Sequence, residues 1–386
     1  GGASDSASPP LYAAADCERV DCRNGGVLLI DRHSDRQLMV TPEVSTALAA
    51  CREFRTLQEH AARLAASIPE LAGQEADVVA VLETIRDAGL LTTAGAALQR
   101  LCASAQPAAA ARAPSRVAII TCDRPEALAR LLDSMAANGE LGLHEQLFVI
   151  DDSRDPGAAA GNQQAVQRFN AATGQRMAYL GREAQRAMLE GLLSALPEHA
   201  DGLRFLLDSE RWPATPTHGL ARSMALLFSM GRRLVVLDDD VLCRVVTSPQ
   251  RRSGLLFGGK PRQVETYPSR DAMTVRTQPA DFDPMAGHCR LLGGTVGEVI
   301  ADSLGDSPSA SILLGADATA LSLWSAESPV ILTQSGSLGD PGTVGVDWLY
   351  LLDPDSTRRV LASPEGLEGA LAQRCYWMGQ PCPLLT

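Results

Sequence analysis

The chain has 386 residues, of which 45% are hydrophobic and 21% charged, and its formal net charge is -12. That length allows two or three domains, and the composition is ordinary for a folded globular protein. The acidic balance argues against nucleic acid or an anionic membrane surface as the main partner, because each wants a basic face, and no apolar run reaches the roughly 18 residues that span a bilayer.

Residues 1–10, "GGASDSASPP", have neither a basic segment nor an apolar core, so a signal peptide is not expected. The 9 cysteines are scattered singly, with Cys17 and Cys22 the closest pair and no C-x-x-C. They are expected to be free thiols of a reducing cytoplasm. A zinc site, which needs paired cysteines or histidines at ligand spacing, is not expected.

The Ala/Pro-rich stretch "SAQPAAAARAPS" (104–115) reads as a linker. It divides a first domain, 17–103, from a second, 116–386. In the first, Val27–Ile30 and Leu38–Val40 flank the polar turn "DRHSDRQ", a hairpin pattern. Three helical segments follow. "PEVSTALAACREF" is the first. "TLQEHAARLAASI" puts Leu57, Ala61 and Leu64 on one face, with Thr56 as N-cap. "EADVVAVLETIRDAGLL" puts Val78, Leu82 and Ile85 on one face and ends at Gly89.

A small sheet, three helices and a final Gly-Leu-Leu resemble a winged-helix domain. More narrowly, "LMVTPEVSTALAAC" and "VVAVLETIRDAGLL" resemble the peptide-binding chaperone of pyrroloquinoline quinone biosynthesis, over about residues 20–95. That family supplies the leader-recognition elements of enzymes that modify ribosomally made peptides. The resemblance implies a precursor peptide added as a strand to the hairpin edge. A dimerisation or packing domain is the plainer alternative. DNA binding is disfavoured, since basic residues do not cluster in the third helix.

The second domain opens with "RVAIITCDRPEALARLLDSM". Its apolar run Val117–Thr121 suits a central parallel strand. Pro125 suits a first helical turn, and Leu128, Leu131, Leu132 and Met135 share one face. Further strands are expected at Leu147–Ile150, in "RMAYLG" and in "RLVVLDDDV", with helices in "REAQRAMLEGLLSAL" and in "HGLARSMALLFSMG", the latter ending at Gly231. This alternation predicts an α/β fold with a mostly parallel sheet. Ligands of such folds bind at the carboxyl ends of the strands, where Asp151–Asp152 and Asp238–Asp240 fall.

Three adjacent carboxylates repel one another unless a cation is shared. Mg²⁺ and Mn²⁺ take carboxylate and phosphate oxygens. Strand alternation turns Asp238 and Asp240 to one side and Asp239 to the other. A solvated acidic turn is the alternative.

From about residue 116 to 242 the chain resembles the family 2 glycosyltransferases of the nucleotide-diphospho-sugar transferase (GT-A) fold. The residues are "VAIITCDRPEALARLLDSM", "FVIDDSRD" and "GLARSMALLFSMGRRLVVLDDDV", in the family's order. Ser223 stands where the family usually has Asn. The resemblance implies a nucleotide-sugar-binding half, 116–243, and an acceptor half, 244–386. It implies that Thr121, Asp123 and Arg124 border the base, and that Asp151 and Asp152 hold base and ribose. Asp238 and Asp240 would form the DxD pair on ribose and metal-bound diphosphate, with Asp239 between them and Arg222 near the sugar. The donor would be a UDP-sugar or its like, the metal Mn²⁺ or Mg²⁺, and the stereochemistry inverting.

The family's general base is a downstream Asp or Glu. Asp317 in "LLGADATALSLWSAESPVILTQSG" occupies that place, although Ala316 replaces the usual Glu and the motif's final Arg is missing. Asp340 in "GDPG", Asp281 and Asp283 are rivals. Trp324, Trp348, Tyr376 and Trp377 either stack on a substrate or belong to the core. The carboxyl end, "CYWMGQPCPLLT", lacks a polar tail, so the chain is open to being a piece of a longer one. The expected function is therefore a cytoplasmic glycosyltransferase acting on a peptide or beside one. A nucleotidyltransferase of the same fold is a rival, although "TCDRPEAL" lacks its Gly-rich basic loop. A non-catalytic peptide-binding scaffold is another.

Overall fold

The computed structural model describes residues 9–102, 112–212, 219–258, 262–305, 308–339, 351–362, 368–369, 372 and 375–386. Most of the expected linker lies outside them, as do Asp340 and Trp348.

The amino-terminal region begins with β1 (Tyr12–Ala14), β2 (Cys17–Asp21), β3 (Val27–Asp31) and β4 (Gln37–Val40). There follow α1 (Pro42–Ala49), α2 (Leu57–Ser67), α3 (Glu75–Asp87), β5 (Leu91–Thr93) and α4 (Ala94–Cys102). The expected hairpin is β3–β4, with Val27 opposite Val40, and β2 adds an outer strand on the other side of β3. Thr56 caps α2 in a full capping box with Glu59. Gly89, with φ of 78°, makes the left-handed turn after α3.

One expected helix is shorter than its pattern. "PEVSTALAACREF" is helical only to Ala49, because residues 52–54 pair with another part of the chain. The Phe54 amide donates to the Ala316 carbonyl at 2.9 Å, and the Ala318 amide to the Arg52 carbonyl at 2.8 Å. Backbone pairing here draws Phe54 to 0% exposure in a core that joins Ala13, Ala97 and Leu101 to Phe257, Ile300 and Leu321. The amino-terminal region and the carboxyl-terminal half therefore share buried apolar surface.

The central region runs β6 (Ser115–Thr121), α5 (Pro125–Asn138), β7 (His144–Asp151), α6 (Pro156–Thr173), β8 (Ala178–Leu180), α7 (Arg182–Ala195), α8 (Ala200–Leu207), α9 (Leu220–Phe228) and β9 (Arg233–Asp238). Its four strands form one parallel sheet in the order β8-β7-β6-β9. The chain is thus a mixed α/β fold around a parallel sheet. Helices cover both faces. Leu128, Leu131, Met135 and Phe169 pack on Val117, Ile119 and Val149. Leu189, Leu207, Met224 and Ala225 pack on Ala118, Phe148 and Ile150. Burial on both faces explains the unbroken apolar run of β6. Helix α9 ends at Phe228, earlier than expected, and Gly231 (φ 69°) forms the turn into β9.

The carboxyl-terminal half contains β10 (Leu256–Phe257), β11 (Gln263–Thr266), α10 (Arg270–Arg276), α11 (Pro284–Leu291), α12 (Val296–Leu304), α13 (Ala318–Ser322), β12 (Ser337–Leu338), α14 (Pro354–Leu361), β13 (Tyr376–Gly379) and β14 (Leu384–Leu385). Strands β11, β13 and β12 make an antiparallel sheet, and β10 pairs with β14 in parallel. Tyr376 and Trp377 are buried in β13, and Trp324 packs against the shared core. Among the described residues no helix is long and apolar enough to cross a membrane.

Candidate functional site

The strand registers set the site. Thr121 lies beside Asp151, and Ile120 beside Asp238, so strands β7, β6 and β9 end together. Strand β9 stops at Asp238, and the Val241 amide donates back to the Asp238 carbonyl at 3.3 Å. The strand alternation expected for Asp238–Asp240 therefore stops at the first of them. The turn buries Asp239, at 3% exposure, and leaves Asp238 and Asp240 exposed.

Each carboxylate has a partner. Thr121 Oγ1 donates to Asp239 Oδ2 at 2.7 Å. Arg124 Nη1 lies 3.0 Å from Asp239 Oδ1 and 3.1 Å from Asp240 Oδ2. Arg222 Nη2, from α9, lies 2.8 Å from Asp238 Oδ1. Arg222 thus pairs with Asp238, and Arg124 with Asp239 and Asp240, while exposure sets Asp239 apart from Asp238 and Asp240. Burial holds the Asp239 carboxyl above the usual aspartate range, against the opposing pull of Thr121 and Arg124.

Asp123 and Asp151 organise the neighbouring loops. Asp123 has φ of 54°, the one positive value outside glycine among the described residues. Its Oδ1 accepts the Arg154 and Asp155 amides at 2.9 and 3.0 Å, and its own amide donates to Ser153 Oγ at 2.7 Å. The loops after β6 and β7 are thereby tied together. Asp151 is 1% exposed. Its carboxylate accepts the Ser153 amide at 2.8 Å, Asn162 Nδ2 at 3.0 Å and the Tyr179 hydroxyl at 2.6 Å. Burial first, then the Asp151 bond, raises the Tyr179 phenol above its ordinary value. Asp152 follows at the strand end, its amide donating to the Thr121 carbonyl at 3.0 Å. Cys122 beside them has its thiol pushed up to about 11, by burial and by Asp123 and Asp152, so it is a poor nucleophile.

Gln185 Nε2 donates to the Asp151 carbonyl at 2.8 Å, and no sequence motif marks Asn162, Tyr179 or Gln185. Asn162 left a readable signal. It lies on the α6 face that buries Ala158, Ala165, Val166 and Phe169, and a buried amide on an apolar face demands partners. Ser223, where the resemblance calls for Asn, donates to the Gly219 carbonyl within its own helix at 3.1 Å.

Asp317, Asp283 and Asp281 take no part in these contacts. Asp317 is the N-cap of α13 and accepts the Ala320 amide at 3.0 Å, in the strip that pairs with residues 52–54. Asp283 caps α11 and accepts the Glu140 amide at 2.6 Å, near the amino-terminal end of β7. Asp281 is exposed in the loop before α11.

A divalent cation is compatible with the donor set. Asp238 and Asp240 are half-exposed hard oxygen donors, each with one oxygen in an arginine pair. No cluster of three or more His, Cys, Asp or Glu side chains able to hold a metal occurs among the described residues. A cation bound here would draw two carboxylates from the protein, and phosphate and water oxygens would have to complete a Mg²⁺- or Mn²⁺-type shell. No protein-family model, no curated protein and no solved structure matches this chain.

Proposed function

We propose that the chain is a metal-dependent, inverting glycosyltransferase of the GT-A fold that uses a nucleotide-diphospho-sugar, with UDP as the first nucleotide to try. One observation carries the reading. Thr121, Arg124, Arg222 and Asp238–Asp240 meet at adjoining carboxyl ends of a parallel sheet, where α/β folds bind their ligands. The sequence resemblance over 116–242 supplies the chemistry.

In this reading Asp238 and Asp240 hold the cation, and Arg222 and Arg124 face the diphosphate. The bound cation supplies Lewis-acid stabilisation of the charge that grows on the leaving group. Asp123 and Asp151 keep the nucleotide-side loops in place. Asp152 is the nearer candidate for a bond to the base or ribose, since it is partly exposed whereas Asp151 is buried.

The amino-terminal region is read as a winged-helix-like recruiter of a precursor peptide. Strand β4 is an outer strand of its sheet, which suits strand addition. A reducing cytoplasm goes with this reading, since the nine cysteines are unpaired: Cys17, Cys22, Cys51, Cys102, Cys122, Cys243, Cys289, Cys375 and Cys382.

A second reading, a peptide-binding scaffold without transfer activity, is favoured by the helix-capping duties of Asp317 and Asp283. Release of the nucleoside diphosphate from a panel of nucleotide-sugars, UDP-sugars first, with Mn²⁺ and then with chelator, separates the two. Slow Mn²⁺-dependent release, lost in Asp240→Ala, is the result expected of a transferase. No release with any nucleotide-sugar would select the scaffold.

A further inference from the structure

Arg124 stands just before Pro125, at the start of α5, and reaches across to the turn after β9. One of its guanidinium nitrogens lies 3.0 Å from Asp239 and 3.1 Å from Asp240. The two halves of this bridge differ. The Asp239 side chain is 4% exposed and also takes the Thr121 hydroxyl, whereas the Asp240 side chain is 43% exposed. Consecutive carboxylates repel, and the nitrogen contacts two of them at once.

We propose that Arg124 is a built-in counter-cation of the acidic turn, and that a divalent cation binds by displacing it from Asp240. The proposal rests on the reading that Asp238 and Asp240 take such a cation. Guanidinium and metal ion want the same carboxylate and repel each other. The buried contact to Asp239 holds while the exposed contact to Asp240 exchanges. Arg124, released from Asp240, then has a charge to place. The anionic diphosphate that accompanies the cation offers oxygens to receive it. Two consequences follow. The cation alone binds weakly, and cation and nucleoside diphosphate strengthen each other's binding, necessarily by the same factor. If Arg124 is merely a tie that shapes the turn, its removal loosens the carboxylates and weakens cation binding. The two roles predict opposite signs.

The test is an electron paramagnetic resonance titration of Mn²⁺ at low ionic strength, with and without UDP. It compares the intact chain with Arg124→Gln and Arg124→Lys, with circular dichroism to confirm folding. Arg124→Gln is expected to bind Mn²⁺ alone about three- to fivefold tighter than wild type, the scale of an exposed ion pair. UDP should add less to Mn²⁺ affinity in that variant, and raised salt should narrow the difference. If Arg124→Gln does not fold, Arg124→Lys carries the test. Lysine keeps the positive charge on a shorter, differently placed head group, so a smaller gain in Mn²⁺ affinity is expected. Equal or weaker Mn²⁺ binding in a folded variant, with wild type binding Mn²⁺ in the presence of UDP, overturns the counter-cation role and leaves the proposed function standing. No Mn²⁺ binding by wild type even with UDP overturns both.

Discussion

Thr121 donates a hydrogen bond to Asp239 at 2.7 Å, across 118 residues of sequence. The bond links the end of the central strand β6 to the turn after β9. It satisfies one oxygen of a buried carboxylate, and Arg124 meets the other. A Thr121→Val variant keeps the shape and leaves that oxygen without its donor. A loss of about 1–3 kcal/mol is expected, read by urea denaturation.

Asp239 also sets a pH dependence. Burial raises its carboxyl above the ordinary aspartate value. A raised value in the folded state means that stability is fully present below the unfolded value and declines as pH rises through the folded one. The Asp239 contribution should therefore fall on moving from acid toward neutral pH, against the opposite trend of Glu53 and Glu59, whose carboxyls are held below the usual range; thermal melts of wild type and variant isolate it by difference. Asp239→Asn removes the titration and should flatten that part of the profile. An unchanged slope in the variant would place the dependence elsewhere.

The Asp151 network predicts a structural result. Tyr179→Phe removes the 2.6 Å bond to a carboxylate that is 1% exposed. A cost of about 1–3 kcal/mol is expected in chemical denaturation. Asn162→Ala should cost at least as much, because it also removes packing from a fully buried position.

Asp317 and Phe54 test the joint between the amino-terminal region and the carboxyl-terminal half. Asp317→Ala loses a helix cap, worth about 0.5–2 kcal/mol, and should leave nucleotide affinity unaltered in calorimetry. Phe54 is wholly buried in the shared core. Phe54→Ala should cost about 3–5 kcal/mol and lower the melting of both regions together.

Much of the parallel sheet was legible in the sequence, for a physical reason. Strands buried on both faces read as unbroken apolar runs, as at Val117–Thr121, and the helices between them carry leucines at regular spacing. Thr56 and Gly89 were legible because caps and left-handed turns demand particular residue types. The end of α1 was not legible. Its apolar pattern continues to Phe54, but the backbone there is claimed by residues 315–318, a partner that no local pattern reveals. The same limit applies at the site. The acidic strand ends could be read from their positions, whereas the division of Arg124 and Arg222 among them depends on a turn at Asp239. Asp317 illustrates the reverse case: a carboxylate at a suggestive spacing in a motif can equally be a helix cap.

The central claim is that the acidic turn binds a nucleoside diphosphate through a shared cation. Calorimetry of UDP binding, with and without Mn²⁺, on wild type and Asp240→Ala tests it most directly. Binding that requires Mn²⁺ and is lost in Asp240→Ala is the predicted result. No binding to UDP, nor to the diphosphates of the other bases, would contradict it.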